Sequence, residues 1–128
     1  MNIQITVGDI SLEACLDDNP TACRIAEALP LEARYSTWGD EIYFSIPVES
    51  DEEPDQVIME VGDLAFWPPG NAFCIFYGRT PASTDDQPRA ASEVIPLGKV
   101  TGDACILKGV RAPKIKLERI PDTTQEGE

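Results

Sequence analysis

The 128-residue chain predicts a mostly β protein: a closed antiparallel barrel carrying two short helices. Three observations predict it. Apolar and polar residues alternate with period two along most of the chain. Eleven prolines are many for this length and imply numerous short turns, which suits strands better than a helix bundle. Many short antiparallel strands in one small domain remove their exposed edges by closure. The length suits a single domain, read as residues 1–120, followed by a polar tail, 121–128.

Each element has its own signal. Ile3, Ile5 and Val7 face one way, Gly8-Asp9 turns the chain, and Ile10, Leu12, Ala14 and Leu16 return on one face as a hairpin. "DDNPTACRIAEALP" reads as a helix, with Asn19 as cap, Pro20 at the first position and Ala22, Ile25, Ala26 and Leu29 on one stripe; Pro30 ends it. "LEARYSTWGDEIYFSIP" is a second hairpin turning at Gly39-Asp40, with Ile42, Phe44 and Ile46 alternating against Tyr43 and Ser45. The loop "VESDEEPD" is too charged to bury. "QVIMEV" and "LAFW" predict two strands meeting at Gly62-Asp63, and "AFCIFY", apolar on both faces, predicts a central strand. "GRTPASTDDQPRAASEV" reads as a polar loop whose length points to function or mobility. "IPLGKV" gives a strand, "DACILKG" a short helical piece and "KIKLERI" the last strand, about nine strands in all. Closure requires the two ends to pair, Ile3 to Val7 beside Ile115 to Ile120.

Composition excludes much chemistry. The net charge is -13; residues 1–64 hold 15 acids against 2 arginines, whereas residues 65–128 hold 8 of each sign. Such a field disfavours nucleic acid and membrane as partners. The basic residues Lys108, Arg111, Lys114, Lys116 and Arg119 read as the wet face or protected edge of a strand, ahead of an anion site. With no histidine, Ser-His-Asp and Cys-His catalysis and mixed zinc sites are absent, and Cys15, Cys23, Cys74 and Cys105 form no CxxC. No metal or cofactor is expected. Without an apolar run long enough to span a bilayer or a secretory pattern in "MNIQITVGDI", the expected location is cytoplasmic.

The order of elements resembles the cyclophilins. In "GDISLEACLDDNPTA", Gly8, Ile10, Glu13, Asp17, Pro20, Thr21 and Ala22 match that family's opening strand, acidic turn and first helix. "GDLAFWPPGNAFCIFYG" resembles its glycine-led strand, loop and aromatic strand, "LGKVTGDACIL" its Gly-Lys-Val strand and short helix, and "KIKLERI" its closing strand. The resemblance spans most of residues 2–120 and implies a closed cyclophilin-like barrel. "WGDEIYFSIP" together with "GDLAFWPPGNAFCIFYG" is more closely similar to small prokaryotic proteins with that fold and no assigned function.

The departures fall on catalysis. The cyclophilin arginine aligns with Phe44, no glutamine follows, and "ASEV" stands where the family carries a pocket tryptophan and histidine. Prolyl isomerisation must cross a barrier of about 18–20 kcal/mol, and a donor to the prolyl nitrogen favours the rotated state. Arg34 and Arg79 are the nearest substitutes, each weighed against pairing with the abundant carboxylates.

On the same alignment Trp67 falls on the groove-lining strand, with Pro68, Pro69, Gly70 and Asn71 in the adjoining loop. Beside Pro-Pro at a strand end, Trp67 is poorly placed for full burial. The candidate ligand-binding set is Trp67, Phe73, Phe76, Tyr43, Trp38 and Asn71. Alternation separates Phe73 and Ile75 from Cys74 and Phe76 without saying which pair faces the interior, and Trp38 reads as either site wall or turn cover. Asp40-Glu41 and Asp63 read as turn residues on a solvated face rather than an acid-base pair. The expected function is a noncatalytic module with an aromatic groove for a small ligand or peptide. A divergent prolyl isomerase is the enzymatic alternative, and an assembly subunit acting through its acidic face is the third. Oligomeric state is left open.

Overall fold

In the computed structural model, which describes residues 1–121, β1 (Asn2–Val7) and β2 (Ile10–Leu16) form the expected hairpin. Its turn places Gly8 at φ +62°, a conformation open to glycine. The helix α1 (Pro20–Ala28) starts where its cap is: the Asn19 side chain accepts from the Ala22 N–H at 2.8 Å and donates to the Pro96 carbonyl at 2.8 Å. One residue thus satisfies a helix end and docks the helix. The acidic loop contributes too, since Glu52 accepts from both the N–H (2.7 Å) and the hydroxyl (2.6 Å) of Thr21 in the first turn.

Seven further strands follow: β3 (Leu31–Ala33), β4 (Ser36–Thr37), β5 (Glu41–Ser45), β6 (Gln56–Ile58), β7 (Asp63–Trp67), β8 (Ala72–Phe76) and β9 (Arg89–Val100). The last is β10 (Ile115–Arg119). Every pairing is antiparallel, in the order β3-β10-β1-β2-β9-β7-β8-β5-β4, with β6 on β9. The two ends meet as expected, Ile3 opposite Arg119 and Val7 opposite Ile115.

Several expectations are corrected. The described sheet is an open path and not a closed barrel: its end strands, β3 and β4, follow one another with only Arg34 and Tyr35 between them and form no ladder. There is one α-helix rather than two, because Ala104–Leu107 is a four-residue 3₁₀ turn capped by Asp103. β6 does not pair with β7; Glu60 and Asp63 close a local turn, with the Glu60 N–H donating to the Asp63 carboxylate at 2.7 Å, and β6 joins β9 instead. Residues 89–94, read as loop, are the first half of β9. The remaining loop is tied, with the Thr80 hydroxyl donating to the Arg89 carbonyl and Ser83 Oγ donating to the Gln87 carbonyl at 2.8 Å. Of the predicted tail, residues 122–128 lie outside the described residues.

Two apolar clusters result. The larger holds Ile3, Ile5, Leu12, Ile25, Phe44, Phe66, Phe73 and Leu117 among others, on the inner face of the sheet. The smaller, Met59, Ala65, Ala72, Cys74, Phe76, Ala90 and Val94, lies on the opposite face of β7 and β8, where Met59, just after β6, and Ala90 and Val94 of the first half of β9 pack against it. Both faces of β8 are therefore buried.

Candidate functional site

The second cluster leaves a cavity of about 240 Å³ open on one side, lined by Trp38, Glu41, Tyr43, Trp67, Cys74, Ala90, Ala91 and Val94. Register explains the grouping. Tyr43 on β5 stands opposite Cys74 on β8, Cys74 stands opposite Ala65, and Trp67 at the end of β7 stands opposite Ala72, so these side chains share one face. Glu41 leads the same row, opposite Phe76. Trp38 comes from the β4–β5 turn, fixed by its N–H donating to the Glu41 carbonyl at 2.9 Å. The turn is pinned in its turn: the Asp40 N–H donates to the Arg79 carbonyl at 2.8 Å, and a Cβ on Gly39, at φ +62°, would lie 2.8 Å from that oxygen.

Trp67 is partly buried and held on two sides. Its indole N–H donates to Ser92 Oγ on β9 at 2.8 Å. Its ring lies against Gly70, where an added Cβ would be 3.1 Å from Cζ3 and 3.2 Å from Cε3. Gly70 belongs to the 3₁₀ turn Pro68–Gly70, closed by Asn71 in the left-handed region at φ 47°.

Of the candidates from sequence, Trp38, Tyr43 and Trp67 are brought together on this cavity. Phe76 lies fully buried in the cluster beneath it. Phe73 is on the other face of the sheet, in the main core, its ring 5.5 Å from that of Phe44. Asn71 acts through its backbone, its carbonyl accepting from the Ile46 N–H at 2.9 Å. Arg34 and Arg79 are exposed and do not line the cavity. Phe44, at the position aligned with the cyclophilin arginine, is 3% exposed and points into the core.

Glu41, expected with Asp40 on a solvated face, is instead buried, and this corrects the sequence reading. It is 6% exposed, and burial pushes its carboxyl up to about 7, an effect that the neighbouring Cys74 thiol partly offsets. Its place on the Tyr43 side of the β5 alternation was the available signal, overlooked because it follows a Gly-Asp turn. The salt bridges of the described residues engage Asp40, Asp51, Glu60, Asp63 and Glu118, and none reaches Glu41. Burial also pushes the Cys74 thiol well up, with Glu41 adding to the effect, so it is a poor nucleophile near neutral pH.

An antiparallel β-sheet protein with one helix, an aromatic cleft and a buried carboxyl is the class that fold and site define. The chain belongs to the Cyclophilin-like family, whose model matches residues 1–118. Among solved structures it is similar to the hypothetical protein AF2241 from Archaeoglobus fulgidus, with 36% identity, a TM-score of 0.77 and coverage of 94% of this chain and 95% of that one. No curated protein matches it. Among the described residues, no helix is long and apolar enough to cross a membrane.

Proposed function

We propose that the protein is a noncatalytic cyclophilin-like binding module whose aromatic cleft around Trp67 takes a small ligand. One observation carries this reading: Trp67 is fixed by Ser92 and Gly70 while Trp38 and Tyr43 share its cavity. Walls set before the ligand arrives reduce the ordering cost of binding. A volume of about 240 Å³ favours a small molecule, or one side chain of a peptide, over an extended peptide.

Prolyl isomerase activity is the competing reading. It lacks a donor, since Phe44 is in the core and neither Arg34 nor Arg79 lines the cleft. Losing one preorganised donor costs about 2.7–4 kcal/mol, so activity is expected to be absent or at least about a hundredfold below an ordinary cyclophilin. Two measurements test the proposal. A protease-coupled peptide assay should show no cyclophilin-level turnover, and a small-molecule fragment screen by ligand-observed NMR should give hits that Trp67→Ala abolishes. Turnover at cyclophilin level, or a screen with no Trp67-dependent hit, overturns it.

A further inference from the structure

We propose that the cleft selects a small organic monocation, an ammonium group on a short apolar body, with Glu41 as its counter-charge and Trp38, Tyr43 and Trp67 as its walls. This rests on reading the cleft as a ligand site and names the ligand class.

The observations converge on positive charge. A carboxyl only 6% exposed lines an otherwise apolar and aromatic cavity, with no cation of the described residues at salt-bridge distance. A buried carboxylate left without a counter-charge is costly, and an entering ammonium removes that cost. Three aromatic residues line one small cavity, and electron-rich rings attract a cation, an interaction strengthened by desolvation. No lysine or arginine lines the cavity, so an anion finds no partner. The chain's charge of -13 draws cations and repels anions at long range. A cavity of about 240 Å³ has room for an ammonium head and a short body.

Binding couples to protonation at Glu41. The titratable groups coupled to it stay uncharged from pH 5.5 to 8: Cys74 on β8, pushed up by burial, and Tyr77 just beyond β8, pushed up to about 12 by burial, then by Asp40, Tyr35 and Glu41. Asp40, on the adjoining turn, has the Lys108 ammonium at 3.9 Å. A cation therefore meets a carboxylate at pH 8 and a mostly neutral acid at pH 5.5, and its binding near neutral pH releases a proton.

The test uses two probes of one shape: (2-hydroxyethyl)trimethylammonium and its uncharged isostere, 3,3-dimethylbutan-1-ol. Both are titrated into the full chain by calorimetry. The charged probe should bind at pH 8 about tenfold or more tightly than the neutral one. It should weaken about tenfold or more at pH 5.5, at which the neutral probe barely changes. Glu41→Gln should remove the preference, and Trp67→Ala should weaken both probes. The wild-type pair of probes needs no variant, so the result stands even if Glu41→Gln folds poorly. Equal affinities, with both lost in Trp67→Ala, overturn the cation inference and leave the ligand site standing. Binding indifferent to Trp67→Ala sinks both. No binding of either probe at millimolar concentration overturns the inference, and the fragment screen then decides the broader reading.

Discussion

The Trp67 indole N–H donates to the Ser92 hydroxyl at 2.8 Å, a bond that ties the end of β7 to the outer half of β9 and fixes one wall of the cleft. Ser92 sits in a stretch, "RAASEV", whose small and polar residues give little strand signal, yet β9 begins there. Ser92→Ala should cost about 0.5–1.5 kcal/mol, the usual net worth of one hydrogen bond. Trp67 emission should also become more accessible to a small quencher, read in a Trp38→Phe background. An unchanged quenching constant contradicts the pinning role.

Neighbouring aromatics should respond very differently to truncation. Phe66 is fully buried in the main core, so Phe66→Ala should cost about 3–5 kcal/mol by urea denaturation. Trp67 keeps one face open to the cleft, and Trp67→Ala should cost no more than about 1.5 kcal/mol. Equal losses would make the ring part of the core.

Glu41 gives stability a pH dependence of definite sign. Its carboxyl titrates at about 7 when folded and near 4.5 when unfolded, so between those values the folded state holds more proton. The folded state is then favoured at pH 5 relative to pH 8, and stability falls as pH rises through 4.5 to 7 and levels off above. The difference is on the order of 2–3 kcal/mol, and Glu41→Gln should flatten that part of the curve. Denaturation midpoints at pH 5 and pH 8 for both proteins measure it. A variant curve parallel to wild type would place Glu41 in water.

Gly98, at φ +149°, lies on β9 between β2 and β7, opposite Leu16 on one side and Leu64 on the other, and a Cβ there would overlap the Cys15 carbonyl oxygen. Gly98→Ala should therefore destabilise by at least about 3 kcal/mol, since neither backbone can yield. Gly70→Ala is the control: its Cβ is crowded by the Trp67 ring, at 3.1–3.2 Å, with Ala72 Cβ at an ordinary 3.9 Å, and a small ring shift should relieve it. Thermal melts of the two variants separate the cases.

β10 lies between β1 and β3, with Ile115 and Leu117 fully buried. Deleting the chain from Lys114 onward removes two ladders and part of the core, and should leave a product without cooperative unfolding by circular dichroism. A folded truncated protein would contradict the role of β10 in joining the sheet.

Local features were legible in the sequence because each is set by a few neighbouring residues. The Gly8-Asp9 hairpin, the Asn19-Pro20 helix start and the inward set Ile42, Phe44 and Ile46 follow from turn chemistry, capping and period-two alternation. The pairing of β1 with β10 followed from the need to give the last strand a partner. Tertiary structure decided what depends on distant chain. β6 chose β9, weak strand formers at 89–94 became strand because β6 paired with them, and β3 and β4 formed no ladder with each other. Alternation divides β8 into two faces; only the cover supplied by β6 and β9 made both of them interior, sending Phe73 to the main core and Cys74 to the cleft. The cleft that Glu41 lines is completed by Ala90, Ala91 and Val94, about fifty positions further along the chain, so its setting depends on distant residues that no local pattern reveals.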